Sequence, residues 1–384
     1  MSIFGYCSFG VAYILVFAFA SLRKERKHQI PESSETKRFA ILIPCYMEDQ
    51  VILESANHAY SQSYPKEAFD VFVLADTLQP STMKKLKENG VSVIPINIPG
   101  RTKAKALKFA MNRIPQDYDN VVILDADNIV HESFLEKLNA YCKLGYKVIQ
   151  ARRKAKNQNN SYAVLDACSE EINNSIFRKG HVKLGLSASL IGSGMAFDFH
   201  TFKSFINQAK AIGGFDKELE LNLLKEGTRI HYAEDITVLD EKVQSGKVLY
   251  NQRKRWLSAQ FFYFRKHILP ALRKAVINGN FDYLDKALQM ALPPRILLIG
   301  VLPLMLLGSL IVPVGPTWIA WLSLILICAI ALITALPSYL WNKSSLRALG
   351  HIPKTFGIFT KALLHLRGAN NAFIHTPHTY QKND

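Results

Sequence analysis

The sequence predicts an α/β domain built on a mostly parallel sheet, joined to transmembrane and interfacial helices. Three observations predict it. Between about residues 36 and 250, short Val- and Ile-rich runs alternate with polar, helix-compatible stretches. Three long apolar segments outside that region carry no charge. Aromatic and basic residues interleave from Trp256 to Lys266, ahead of two of those segments.

The elements of the α/β region follow in order. Phe39–Ile43, Val71–Leu74, Val91–Ile94, Val121–Leu124 and Val148–Ile149 read as strands. Continuous β-branched and apolar runs of this length suit a sheet covered on both faces. Gln50–Ser61, Pro80–Asn89 and Lys103–Asn112 read as the helices between them. The alternation predicts parallel strands with crossover helices, and such sheets bind ligands at the carboxyl ends of their strands. The domain is expected to span 36–255.

The N-terminal helix is expected within 1–22, because Ile3–Leu22 matches the roughly 20 residues that span a hydrocarbon core. The cluster Arg23-Lys24-Glu25-Arg26-Lys27 then places its C-terminal end in the cytoplasm. A cleaved signal peptide ending near Ala18-Phe19-Ala20 fits less well, since the charges follow the apolar run instead of preceding it. Ile296–Val314 and Trp318–Leu340, separated by Gly315-Pro316-Thr317, read as a transmembrane hairpin within 293–340. This topology puts the α/β domain and the basic tail 341–384 on the cytoplasmic side. Segments 256–274, within an interfacial stretch 256–292, and 352–367 are expected to lie in the membrane interface. An ordinary core helix is the alternative for each.

A formal net charge of +16 beside 49% hydrophobic residues excludes a disordered chain and a purely intramembrane one. It suits an anionic membrane surface or a phosphorylated substrate. Nucleic acid is not expected as a partner, because the chain has no zinc-finger spacing, basic region with heptads or RNP-like strand. The five scattered cysteines lack metal-ligand or redox spacing and read as buried small hydrophobes in a reducing compartment.

Two strands run into carboxylates: Val71–Leu74 into Asp76, and Val121–Leu124 into Asp125-Ala126-Asp127. Asp-x-Asp offers hard oxygen ligands to Mg2+ or Mn2+, which can bridge a diphosphate. A capping or turn role is the alternative. Lys103 stands near a helix N-terminus, where an anionic diphosphate is favoured; a solvated basic face is the alternative. The loop Gly192-Ser193-Gly194-Met195-Ala196-Phe197 brings backbone close to a substrate, or is a plain turn. Gln252-Arg253-Lys254-Arg255-Trp256 joins an amide, guanidinium groups and an indole. Arginine neutralises a leaving diphosphate and tryptophan stacks on a sugar face, unless the segment is only a basic interfacial anchor.

Taken together these residues resemble the processive family 2 glycosyltransferases: cellulose, hyaluronan, chitin-oligosaccharide and poly-N-acetylglucosamine synthases. The pattern there is three spaced aspartate sites followed by Gln-x-x-Arg-Trp. Asp76, Asp125-x-Asp127, a third acidic site and Gln252-x-x-Arg255-Trp256 are similar to it. Ile43-Pro44-Cys45-Tyr46-Met47-Glu48 resembles the first-strand signature, with Met47 where Asn is usual. Lys103-Ala104-Lys105-Ala106-Leu107 resembles the Lys-Ala-x-x-Leu element. The resemblance implies a GT-A fold, with Pro44, Tyr46, Glu48, Asp76, Lys103, Asp125 and Arg255 at the nucleotide donor. It implies Mg2+ or Mn2+ at Asp125 and Asp127, and Gly194, Gln252 and Trp256 at the acceptor.

The third acidic site is the catalytic base in that family, an Asp commonly followed eleven positions later by Gly. Asp216 meets this spacing with Gly227, although Phe215 stands where Glu is usual. Asp235, in Ala233-Glu234-Asp235, lies only 17 residues before Gln252. Phe373-Ile374-His375-Thr376-Pro377-His378 resembles the gating loop Phe-x-Val-Thr-x-Lys, with His378 in place of Lys; an extended tail is the alternative. The implied activity is inverting, metal-assisted transfer from a UDP-sugar to a growing β-linked polysaccharide. Single addition to a lipid acceptor, as by ceramide glucosyltransferases, is the second reading. A non-catalytic membrane protein that binds a nucleotide sugar is the third. Three spans are few for a one-chain channel, so extrusion implies a homo-oligomer or an export partner.

Overall fold

Among the described residues, eight strands form one sheet: β1 (Phe39–Tyr46), β2 (Phe69–Asp76), β3 (Ser92–Pro95), β4 (Asn120–Ile123), β5 (Ile129–Val130), β6 (Val148–Ala155), β7 (Met195–Asp198) and β8 (His231–Asp240). The computed structural model describes residues 2–24, 35–100, 102–210, 213–312 and 315–366. The order across the sheet is β3-β2-β1-β4-β7-β6-β8-β5. Pairing is parallel from β3 to β4 and between β6 and β8, while β7 runs antiparallel to both β4 and β6.

The chain enters through α1 (Ile3–Ser21), begun by the Ser2 side chain accepting from the Gly5 N–H. The crossovers are α2 (Ile52–Tyr60), α3 (Pro80–Glu88) and α4 (Lys103–Met111), with α5 (Phe134–Lys143) between β5 and β6. Side chains alternate across β1: Phe39, Ile41 and Ile43 join a cluster with α2 and α5, and Ala40 and Leu42 join one with α4. This two-sided burial is why the central strands read as unbroken apolar runs. β7 takes up Met195 to Phe197 of the expected 192–197 loop. Gly194, at φ 60, turns the chain into it, and a Cβ there would stand 3.0 Å from Val238 Cγ2.

Next comes α6 (Ser161–Asn173), continuing through a π-helical stretch Asn174–Gly180 into α7 (His181–Lys183). Helices α8 (Phe199–Gln208), α9 (Phe215–Lys225), the 33-residue α10 (Gly246–Asn278) and α11 (Phe281–Gln289) cover the β1 Ala40/Leu42 face. Gln252 to Trp256 therefore sit inside one continuous helix.

The apolar helices α12 (Arg295–Ile311) and α13 (Trp318–Ala335) pack with α1 around Trp321, Leu298, Leu302 and Val11. By length and composition α1 and α13 are long enough to cross a membrane, with mean hydropathy 2.0 and 2.5. α12 is apolar but has 17 residues, about 25 Å of helix. α13 stops five residues short of the expected end, because Pro337 drives Leu336 into an extended conformation. Two short helices, α14 (Lys343–Leu349) and α15 (Ile352–Leu364), close the described chain.

α1 is fixed to the α/β domain at its backbone. A Cβ on Gly180 would lie 2.2 Å from the Phe17 carbonyl oxygen, so only glycine permits this approach. Beside it the Tyr13 hydroxyl donates to Asp285 Oδ1 (2.6 Å) and lies 2.9 Å from His181 Nε2.

Candidate active site

The carboxyl ends of β1 and β2 meet first. Tyr46 pairs with Asp76 in register, and Pro44 with Leu74. Asp76 and Glu48 are buried, and the Thr77 hydroxyl donates to Asp76 Oδ1 at 2.9 Å. Two non-glycine residues here have left-handed backbones, Met47 at φ 57 and Thr77 at φ 59. The Met47 N–H donates to the Asp76 carbonyl, which holds this turn against the conformational cost.

β4 delivers Asp125 and Asp127 beside a residue that sequence reading missed. Carboxylate oxygens of Asp125, Asp127 and Asp240 lie within 4.8 Å of one another. Asn128 organises them: its Oδ1 accepts from the Asp125 N–H (3.0 Å), and its Nδ2 donates to Asp127 (3.3 Å) and Asp240 (3.4 Å). The Glu241 N–H donates to Asp127 Oδ2 at 2.7 Å. Three converging carboxylates are hard oxygen donors, a set that fits Mg2+ or Mn2+. Asp240 arrives from the far end of β8, 113 positions after Asp127, so no local spacing announces it.

Lys103, at the start of α4, bridges two parts of the site. Its ammonium donates to Asp125 and, at 2.7 Å, to the Gly192 carbonyl. It also lies 5.7 Å from the centre of the Phe215 ring, the residue standing where Glu is usual in the motif. Gly194 itself is buried under Val238 and Ala151, and its carbonyl accepts the Ala151 N–H at 2.8 Å. Gln150, fully buried and absent from the sequence reading, shapes this turn. Its amide donates to the Ser193 and Gly194 carbonyls and its Oε1 accepts from the Ile191 N–H.

Asp216 occupies the first turn of α9, half-buried. The turn before it is pressed on α10: a Cβ on Gly214 would stand 2.9 Å from Ala259 Cβ, one helical turn beyond Arg255. Burial pushes the Arg255 guanidinium below its usual pKa, opposed by the charges of Asp216 and then Asp125. Arg255 thus feels the charges of both the candidate base and the Asp-x-Asp turn. Gln252 Oε1 is buried with no hydrogen-bond donor among the described residues. Trp256 is 42% exposed and carries the Arg253 guanidinium 4.3 Å above its ring. Asp235 is elsewhere, exposed on β8 and accepting from the Tyr141 hydroxyl at 2.6 Å. Phe373, Thr376 and His378 lie outside the described residues.

The sequence profile described as glycosyltransferase like family 2 matches residues 37–259, more than half of the chain. The chain belongs to that family. As a glycosyltransferase it shares its fold with mannosyltransferase PcManGT from Pyrobaculum calidifontis, solved with GDP-Man and Mn2+. Identity is 17%, the TM-score is 0.53, and the match covers 88% of this chain and 97% of that one. Looser likenesses are S. aureus TarS 1-349 (15% identity, TM-score 0.41, 86% of this chain and 91% of that one) and glucosyl-3-phosphoglycerate synthase from Mycobacterium tuberculosis with Mn2+, UDP and glucosyl-3-phosphoglycerate (15%, 0.40, 59% and 81%). No curated protein sequence matches the chain.

Beneath the acidic triad of the transferase lies a buried ionic network. Lys242 Nζ is 2.8 Å from Asp240 Oδ2 and 3.5 Å from Glu170 Oε2. Arg153 reaches Glu170 at 2.9 Å and Asp240 at 3.6 Å, and Arg178 reaches Glu170 Oε1 at 3.0 Å. Burial alone would raise the Glu170 pKa, but Arg153, Lys242 and Arg178 hold it well below the usual range. For Asp240, burial is likewise overcome by Arg153 and Lys242, and its pKa is lowered. Burial would lower Lys242, and Asp240 with Glu170 raise it instead.

Proposed function

We propose that this transferase catalyses a single displacement at the anomeric carbon of a nucleotide-activated sugar, on the cytoplasmic face of a membrane. The observation that carries the reading is the convergence of the Asp125, Asp127 and Asp240 carboxylates beside Lys103, near the strand end that also presents Asp76, with Arg255 under the electrostatic influence of Asp216 and Asp125. Asp216, in the first turn of α9, removes the proton of the acceptor hydroxyl. Lys103 and Arg255 set fixed positive charge beside Asp125, where the charge of the departing nucleoside diphosphate develops. Asp76 with Pro44, Tyr46 and Glu48 holds the nucleotide. Asp125, Asp127 and Asp240 would hold Mg2+ or Mn2+, which when bound neutralises the diphosphate. Attack from the side opposite the leaving group inverts the centre, so an α-linked donor gives a β-linkage.

The acceptor side of the proposal is Gly194, Gln252 and Trp256, and the donor is a UDP-sugar. A growing polysaccharide is the product of the first reading. Membrane embedding is supported by the outward faces of α1, α12 and α13, where Val16, Phe19, Leu304, Leu307, Ile330 and Ile333 are all exposed. Such a continuous apolar girdle is unfavourable in water and ordinary against lipid. Single addition to a lipid acceptor is the second reading. It is favoured by the small apolar bundle of α1, α12 and α13, in which Trp321, Leu324 and Cys328 fill the space between helices.

The test is product size from membranes given Mn2+ or Mg2+ and labelled UDP-sugars, with GDP-mannose included because PcManGT binds it. A high-mass, glycosidase-sensitive polymer supports the synthase reading. Label confined to extractable lipid supports single addition. Transfer that persists in Asp216→Asn, or survives chelation, overturns the mechanism.

A further inference from the structure

Segment 190–194, which leads into β7, is neither helix nor strand, so its backbone groups need partners from elsewhere. Side chains supply them. Gln150 Oε1 accepts the Ile191 N–H, and its Nε2 donates to the Ser193 and Gly194 carbonyls. Arg153 donates to the Ile191 carbonyl at 3.4 Å, and Lys103 to that of Gly192. These partners stand on β6 and α4. Leu190 is held from a different element, α9, which takes both of its backbone groups. The Leu190 N–H donates to Glu220 Oε1 (3.2 Å), and the Leu190 carbonyl accepts from Lys217 Nζ (2.9 Å). The same ammonium donates to Glu220 Oε2 at 3.0 Å, which closes a ring of three contacts.

That ring adjoins the candidate base. Asp216 immediately precedes Lys217 and lies one helical turn before Glu220 on α9. Gly192, two residues beyond Leu190, approaches the base itself, since a Cβ there would stand 3.9 Å from Asp216 Cβ. The clasp on Leu190 therefore fixes how far the Gly192–Gly194 turn lies from the Asp216 side chain. Glu220 is fully buried, and a buried carboxylate is costly where an apolar side chain could fill the same space. Lys286 on α11, also fully buried, feels the charge of Glu220 more than that of any other carboxylate, and donates to the Ser189 hydroxyl at 3.1 Å. The segment is thus gripped at Ser189 as well as at Leu190.

We propose that Glu220 and Lys217 are positioning residues for sugar transfer, which by clasping Leu190 set the acceptor side at Gly194 against Asp216. The proposal rests on the transferase reading above, with Asp216 as the base. Placement matters for a bulky acceptor far more than for water. Water can attack the anomeric carbon in place of the acceptor hydroxyl, giving free sugar and nucleoside diphosphate as its proton passes to Asp216. A loosened clasp should therefore lower transfer much more than donor hydrolysis.

The test is the ratio of transfer to donor hydrolysis, which does not depend on how much of the protein is folded. The purified full chain, in nanodiscs of total membrane lipid extract, is given Mn2+ with labelled UDP-sugars or GDP-mannose. Transfer is read as label in polymer or lipid, and hydrolysis as free sugar. In Lys217→Met and Glu220→Gln the ratio should fall about ten- to a hundredfold, with donor KM within about twofold of wild type. The Lys217 side chain reaches solvent, so Lys217→Met carries the test should Glu220→Gln not fold. Ratios that stay at the wild-type value, whatever the total activity, show a merely structural clasp and overturn the proposal. A wild-type chain that transfers from none of these donors overturns the transferase reading, and the clasp's role with it. Asp216→Asn that still transfers overturns the base. Wild-type transfer that Asp216→Asn abolishes, with unchanged ratios in the other two variants, overturns the clasp alone.

Discussion

Lys103 donates to Asp125 and to the Gly192 carbonyl, so one ammonium ties the Asp-x-Asp turn to the turn before β7. The same lysine is placed to meet a diphosphate, and it balances Asp125 until a divalent cation arrives. Lys103→Gln should raise the donor KM about tenfold. Mn2+ affinity without donor, measured by metal titration, should stay equal or increase. Weaker Mn2+ binding in the variant would mean that the lysine builds the carboxylate triad instead of competing for it.

Asp216 and Asp235 are separated cleanly by their surroundings. Asp216→Asn should lower kcat about 10²- to 10⁴-fold, with donor binding retained in a direct binding assay. Asp235→Asn, which removes an exposed carboxylate paired with Tyr141, should leave kcat within about twofold and stability within about 0.5 kcal/mol. Loss of transfer in Asp235→Asn alone would move the base to β8.

Met47 holds a left-handed backbone that asparagine tolerates better. Met47→Asn should therefore raise stability by about 1 kcal/mol, visible as a higher unfolding midpoint at unchanged product chemistry. A lower midpoint would show that the half-exposed methionine side chain contributes packing that outweighs the strain.

Glu170 is the counter-charge for three cations, so Glu170→Gln should destabilise by about 3–5 kcal/mol. The pH dependence has a defined sign. Glu170 and Asp240 have lowered pKa values, so their stabilisation is complete above about pH 4 and is lost as pH falls through the depressed values. Lys242 is raised, so its share is complete below about pH 10.4 and is lost as pH rises through the raised value. Unfolding midpoints across that range should show a plateau, with an acid limb that is shallower in Glu170→Gln.

The parallel half of the sheet was legible because β1, β2 and β4 are buried on both faces, which leaves an unbroken apolar run. Their terminal carboxylates were legible for the same reason, since a polar residue directly after such a run lies at a strand end. Asp240 and Gln150 were not. Each acts through a pairing between distant segments, β8 beside β6 and the β6 end beside the 192–194 turn, and neither leaves a local period. β7 was hidden by the glycines ahead of it, Gly192 and Gly194, which read as a loop until Val238 packs over Gly194. The α10 segment was read as starting near Trp256, whereas Ser245 caps it eleven residues earlier.

The contacts of Tyr13 set a schedule for making the protein. Its partners His181 and Asp285 lie 168 and 272 positions later, and Phe4 waits for Trp321. At roughly 5–20 residues per second of synthesis, α1 exists for tens of seconds before Asp285 emerges. The first helix translated is thus among the last to be seated. Its closure spans nearly the whole chain, which makes this docking a slow, late step of biogenesis. Mutations at Gly180 or Tyr13 should accordingly reduce the yield of mature protein more than the rate of the molecules that do mature.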